Sequence, residues 1–143
     1  MKTINECTVG ELMSKPVVLV KETVPIAEAV AKMSASKVSV LVVEKAHEHD
    51  VFGILTRKDV VLEAIETTDG MAGLTVHDLA TKPAIEIQAG VSVKHAVRLM
   101  RLVGIRRLLV LEGEKPVGLL SNTDIFRRVA QDIGAAAAAA KKA

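Results

Sequence analysis

The sequence predicts an α+β fold built from two βαββα repeats. Three observations carry that prediction: a long internal repeat, a fixed alternation of short β-branched runs with runs of helical period, and a strand-to-helix motif that occurs twice. Thr8-Val9-Gly10-Glu11-Leu12-Met13-Ser14-Lys15-Pro16 returns 67 residues later as Thr75-Val76-His77-Asp78-Leu79-Ala80-Thr81-Lys82-Pro83. The register then runs without a gap from 8–43 to 75–110, with 11 of the 36 pairs identical. A period this long, present only twice, fits two copies of one small domain rather than a solenoid. The expected organisation is a first domain at 8–66, a linker at 67–74, a second domain at 75–133 and a low-complexity tail at 134–143.

Each copy opens with a helix-start signal, Thr8 three residues before Glu11 and Thr75 three residues before Asp78. There a hydroxyl can cap the free amides of a first turn. Pro16 and Pro83 end that short turn and bias the preceding lysines towards extended backbone. The segments 17–20 and 84–87 are short β-branched runs suited to strands. Ile26, Ala29, Val30 and Met33, matched by Val93, Ala96, Val97 and Met100, recur at helical spacing and predict amphipathic helices over 26–36 and 93–103. Pro25 is expected in the first turn of the former, and Ser92 as a cap of the latter. The apolar runs 38–43 and 107–111 read as buried strands, with 52–55 and 117–120 as their hairpin partners and 44–50 and 112–116 as the loops between. Helices follow at 57–66 and 122–133.

Composition narrows the function classes. With 143 residues in total, a copy of about 60 residues buries proportionally little surface, so the two copies are expected to share a core. Phe52 and Phe126 are the only aromatic residues, which leaves no platform for stacking single-stranded nucleic acid. The 19 basic and 17 acidic residues balance to +2, too little to imply a polyanion partner. A single cysteine, Cys7, excludes an internal disulfide and suits a reducing cytoplasm. No apolar run reaches about 18 residues, and the first residues lack a charged-then-apolar pattern, so a cytoplasmic protein without a membrane segment is expected. His47, His49 and Asp50 lack a matching ligand pair, so a solvated loop is favoured there over a metal site, and no metal is expected.

The most specific local signal is Gly-Ile-Leu-Thr-Arg-Lys-Asp at 53–59, repeated as Gly-Leu-Leu-Ser-Asn-Thr-Asp at 118–124. Each copy sets a hydroxyl at a strand end and a carboxylate three residues on. Thr56 and Ser121 read as N-caps, with Asp59 and Asp124 favoured in the first helical turn. The same arrangement suits a ligand: a helix N-terminus attracts phosphate, and a carboxylate can accept both hydroxyls of a ribose. Capping and binding are compatible, and both readings stand.

Two copies of this motif, each after a Leu-x-x-Lys-Pro opening, resemble the cystathionine β-synthase (CBS) domain, here as a tandem pair or Bateman module covering about residues 8–133. The resemblance implies two repeats packed through their sheets about a pseudo-twofold axis. It further implies two clefts between the repeats for AMP, ADP, ATP or a related molecule, with S-adenosylmethionine, NAD(H) or a cyclic dinucleotide as alternatives. Carried over by motif, Asp59 and Asp124 would hold ribose, and Thr56 and Ser121 would lie near phosphate. Val17, Val18, Ala84 and Ile85 would line the adenine pocket, and Arg106 or Arg107 would reach phosphate.

The copies differ in charge at these places. Arg106 and Arg107 stand where the first copy has Ser39 and Val40, whereas Arg57 and Lys58 stand where the second has Asn122 and Thr123. Unequal sites are therefore expected, the stronger combining Thr56 and Asp59 with Arg106 or Arg107 across the pseudo-twofold interface, and the Ser121/Asp124 site weaker or empty. The bland alternative for Arg106 and Arg107 is a solvated strand edge.

No nucleophile–base pair, P-loop or dinucleotide fingerprint emerges, so a non-enzyme is expected. The predicted function is a regulatory module that binds an adenine nucleotide and signals its occupancy to an unidentified partner protein. By the resemblance it forms a homodimer, through the helices 26–36, 60–66, 93–103 and 125–133. The alternative is a constitutive dimerisation or scaffold domain with no physiological nucleotide. Nucleic-acid binding through Arg57, Lys58, Arg106 and Arg107 is the least favoured reading, given the near-neutral charge.

Overall fold

A computed structural model describes residues 2–142; Met1 and Ala143, the latter the end of the 134–143 tail, lie outside them. In chain order the elements are a 3-10 turn (Ile4–Glu6), α1 (Val9–Leu12), β1 (Leu19–Val20), α2 (Ile26–Ser36), β2 (Val40–Val43), β3 (Gly53–Thr56), α3 (Arg57–Glu66), α4 (Val76–Leu79), β4 (Glu86–Gln88), α5 (Val93–Val103), β5 (Arg107–Glu112), β6 (Lys115–Ser121) and α6 (Asn122–Lys142). The fold is α+β, with two three-stranded sheets ordered β1-β2-β3 and β4-β5-β6. The described residues divide into two compact units, one of residues 18–84 and one of residues 2–17 with 85–142.

In the 18–84 unit, β1 runs parallel to β2, with Leu19 beside Val42, and β2 pairs antiparallel with β3, with Val40 opposite Thr56. All four residues of β2 are buried, as a continuous apolar run requires. The helix α2 crosses over between the parallel strands and buries Ile26, Ala29 and Met33, the residues at helical spacing. Pro25 is the N-cap of α2 and not part of its first turn: its ψ of 143° is extended, and the Ile26 amide donates outside the helix to the Leu74 carbonyl at 3.0 Å.

In the other unit, β4 is parallel to β5 and β5 antiparallel to β6, with Arg107 opposite Ser121 and a register shift at Val110/Leu111. Ser92 caps α5, accepting from the Lys94 amide at 3.3 Å. The strand β6 begins at Lys115, inside the segment expected as loop, because Gly113 adopts φ 62° and tightens the hairpin. The last helix runs without a break through the alanine-rich tail to Lys142, well past the expected end at 133. Alanine is the strongest helix former, and Gly134 alone costs too little to stop the helix.

The sequence copies and the structural units do not coincide. The opening helix of the first copy, α1, belongs with the sheet of the second: Val9 donates to the Val91 carbonyl at 2.8 Å, and Ser14 and Leu119 exchange backbone bonds at 2.8 and 3.1 Å. Its counterpart α4 belongs with the first sheet, where Val76 donates to Val24 and Thr81 exchanges bonds with Ile54, all at 2.9 Å. Val9 and Val76 are fully buried. Two clusters of buried apolar residues, one around Leu41, Val43 and Leu55 with Val76 and one around Leu108, Val110 and Leu120 with Val9, each combine residues of both sequence copies. Exchange of the opening helices gives each sheet its buried valine from the other sequence copy.

The two exchanged segments explain the motif glycines. A Cβ on Gly53 would lie 2.8 Å from the Thr81 carbonyl oxygen and against the Lys82 Cγ; one on Gly118 would lie 2.5 Å from the Met13 sulfur and 3.0 Å from the Ser14 carbonyl oxygen. Only glycine lets these backbones pass so closely.

Candidate functional site

Each motif is built where the last strand of a sheet runs into a helix. At the β3–α3 junction the Thr56 amide and hydroxyl donate to the Asp59 Oδ2 at 2.9 and 2.8 Å, and the Asp59 amide donates back to the Thr56 hydroxyl at 3.2 Å. At the β6–α6 junction the Ser121 amide and hydroxyl donate to the Asp124 Oδ2 at 2.9 and 3.0 Å, and the Asp124 amide returns a bond of 3.2 Å. Both motifs are thus reciprocal caps, the arrangement that fixes a hydroxyl and a carboxylate at a helix N-terminus. Thr56 and Asp124 are the two buried polar residues among those described.

The other oxygens of the two aspartates differ. Asp124 Oδ1 accepts the Ser14 hydroxyl at 2.7 Å and lies 3.5 Å from Arg127 Nη1. Asp59 Oδ1 has no partner among the described residues.

The basic residues lie on different elements at the equivalent junction of each unit. The Arg57 amide donates to the Ser39 carbonyl at 2.8 Å, and the Asn122 amide donates to the Arg106 carbonyl at 3.1 Å. The same backbone bond therefore carries its arginine on the helix in the 18–84 unit and on the strand in the other. Arg106 and Arg107 stand by backbone beside Ser121, with Arg107 directly opposite it in the hairpin. Arg57, Lys58 and Arg106 are exposed, and Arg107 is half-buried. Among the aliphatic candidates, Val18 and Ile85 give their carbonyls to Val42 and Leu109 at 2.8 and 2.9 Å, Ala84 is buried and donates to the Phe52 carbonyl at 2.8 Å, and Val17 is half-buried.

Two features were missed in the sequence. Ser14 lies outside the repeated strand-to-helix motif; its repeat counterpart, Thr81, is also a hydroxyl residue, and that shared chemistry is the signal the sequence offers. The second is an ion network in the 18–84 unit. Lys82 Nζ lies 2.7 Å from Asp50 and 3.0 Å from Glu22, and Glu22 also meets His77 Nδ1 at 3.2 Å. Asp50, weighed above as a companion of His47 and His49, has its carboxylate engaged by Lys82 and by the Ala46 amide at 2.7 Å. Those partners, with Lys82 the foremost, hold Asp50 well below the usual carboxylate range. Lys82 and then His77 lower Glu22. Burial works against the Lys82 charge, but its bonds to Asp50 and Glu22 outweigh burial and hold the ammonium above its ordinary value. Nothing in linear spacing joins residues 22, 50 and 82.

Among the described residues, no helix is long and apolar enough to cross a membrane.

The CBS domain family model matches residues 9–66 and 76–131. The hexameric CBS-CP12 protein from bloom-forming cyanobacteria is 31% identical, with a TM-score of 0.75 over 83% of this chain and 69% of its own. The CBS domain pair of protein MJ0100, solved in complex with 5′-methylthioadenosine and S-adenosyl-L-methionine, is 22% identical with a TM-score of 0.70 over 87% of this chain and 97% of its own. A CBS domain protein from Pyrobaculum aerophilum complexed with AMP is 23% identical with a TM-score of 0.68 over 82% and 88% of the two chains. Uncharacterized proteins of Methanopyrus kandleri and Methanocaldococcus jannaschii are each 26% identical over 84% and 92% of this chain. The chain spans 61% and 46% of their respective lengths.

Proposed function

The chain belongs to the CBS domain family, and from that premise we propose that it is a regulatory module that binds an adenosyl ligand of the AMP, ADP or ATP class and signals its occupancy to a partner protein. The observation that carries the reading is the motif built twice, a capped hydroxyl and carboxylate at a helix N-terminus with an arginine at the adjoining backbone bond. Such a junction offers acceptors for a ribose diol and positive charge for phosphate. The ligand class comes from proteins of the same fold that hold AMP, 5′-methylthioadenosine and S-adenosyl-L-methionine.

In this reading Asp59 and Asp124 hold ribose, Thr56 and Ser121 lie near phosphate with Arg57, Lys58, Arg106 and Arg107, and Val17, Val18, Ala84 and Ile85 meet the purine. The Thr56/Asp59 motif is the stronger of the two, which the unpartnered Asp59 Oδ1 supports. Bound ligand acts only through a difference in affinity between two arrangements of the protein. A homodimer reads that difference; exposed Val61, Leu62 and Ile65 on α3, Leu102 on α5, and Phe126 and Ile133 on α6 support such an assembly.

A thermal-shift screen of AMP, ADP, ATP, S-adenosylmethionine, NADH and a cyclic dinucleotide tests the reading, because a ligand of the native state raises the melting temperature by mass action. At least one adenylate is expected to do so. A melting temperature indifferent to all of them would point instead to a constitutive dimerisation domain.

A further inference from the structure

We infer that the Ser14 hydroxyl makes the Ser121/Asp124 motif the weaker ligand site by occupying the carboxylate oxygen that a sugar diol would need. The inference rests on the adenosyl reading and adds to it the residue that sets the difference between the two motifs. An ionised carboxylate offers about four acceptor positions. At Asp124 four donors converge: the Ser121 amide and hydroxyl on Oδ2, and the Ser14 hydroxyl and Arg127 Nη1 on Oδ1. The Asp124 side chain is 5% exposed. At Asp59 the Thr56 amide and hydroxyl meet Oδ2, and no donor among the described residues reaches Oδ1. That leaves about two acceptor positions open, the number a vicinal diol uses.

The backbone does not account for the contrast. Thr81 bridges Ile54 in the same way as Ser14 bridges Leu119. Yet the Thr81 hydroxyl makes no bond to Asp59 among the described residues, and the residue in the place of Arg127 is Leu62. The two side chains at 14 and 127 therefore fill in one motif what is open in the other. Ser14 is itself exposed, so its hydroxyl is displaceable and the effect is on affinity, not on access. A diol arriving at Asp124 must replace a hydrogen bond to a charged group, which weakens its binding by about tenfold or more.

The test is calorimetric titration of AMP into the full chain carrying Asp59→Ala, so that the remaining heat reports the Asp124 motif, with and without Ser14→Ala. Ser14→Val serves as a second variant, and circular dichroism melting checks that each is folded. Loss of the Ser14 hydroxyl is expected to tighten the residual AMP binding by about tenfold. Residual binding that is unchanged or weakened by both Ser14 substitutions overturns the inference, the latter outcome making Ser14 a helper of the ligand. If the unmutated chain binds AMP, that result leaves the adenosyl reading standing. An unmutated chain that binds none of AMP, ADP and ATP overturns the reading and the inference together. One that binds ADP or ATP but not AMP keeps the reading, and the same titration is then made with that nucleotide.

Discussion

Lys82 and Asp50 form an ion pair of 2.7 Å whose side chains are 17% and 18% exposed, and Glu22 joins it at 3.0 Å. Both carboxyl groups have lower pKa values in the folded chain than in the unfolded one, Lys82 being the foremost cause for each. The stability they confer is therefore present above about pH 4, the ordinary carboxylate range, and drains away as the pH falls towards their folded values. Lys82→Met should flatten the fall of the urea midpoint between about pH 5 and pH 3. An acid profile identical to that of the unmutated chain would show that the network contributes nothing to it. The corresponding position in the first copy, Lys15, is exposed, and Lys15→Met should leave the profile unchanged.

Gly53 and Gly118 are equivalent in the motif but not in their surroundings. A methyl on Gly53 meets a backbone carbonyl and the inner part of the Lys82 side chain, whereas one on Gly118 first meets the flexible Met13 side chain. Gly53→Ala should cost about 1–3 kcal/mol by overpacking, and Gly118→Ala less. Denaturant titration of the two variants gives the comparison, and the reverse order would mean that the exchanged segments sit less tightly than the structure has them.

Lys37 and Gly104 end α2 and α5 in the same left-handed conformation, at φ 55° and 76°. The conformation suits glycine and strains lysine. Lys37→Gly should stabilise the protein by about 0.5–1 kcal/mol, and Gly104→Ala should destabilise it by about 1 kcal/mol. Melting curves of the two variants should move in opposite directions.

The elements were legible because they are local. Ile26, Ala29 and Met33 announce α2 by spacing, Thr56 and Asp59 announce the start of α3 by cap chemistry, and both helices begin where those residues place them. The exchange of α1 and α4 was not legible. Val9 and Val76 have the same sequence surroundings whichever sheet they join, and the choice is made by backbone bonds to Val91 and Val24 that no periodicity records. The site was legible to the same extent. The two aspartates stood out as a repeated motif, but the state of each carboxylate depends on Ser14, 110 residues away from Asp124, and that contact exists only in the folded chain.

The central claim is that this chain binds an adenosyl ligand at two unequal motifs, the stronger one holding it through Asp59. Calorimetric titration of AMP into the unmutated chain, Asp59→Ala and Asp124→Ala tests it most directly. One tight site should appear in the unmutated chain and persist in Asp124→Ala. In Asp59→Ala its affinity should fall by at least about tenfold, from the loss of hydrogen bonds to a charged acceptor. Two identical sites, or AMP binding unaltered in Asp59→Ala, would contradict the account.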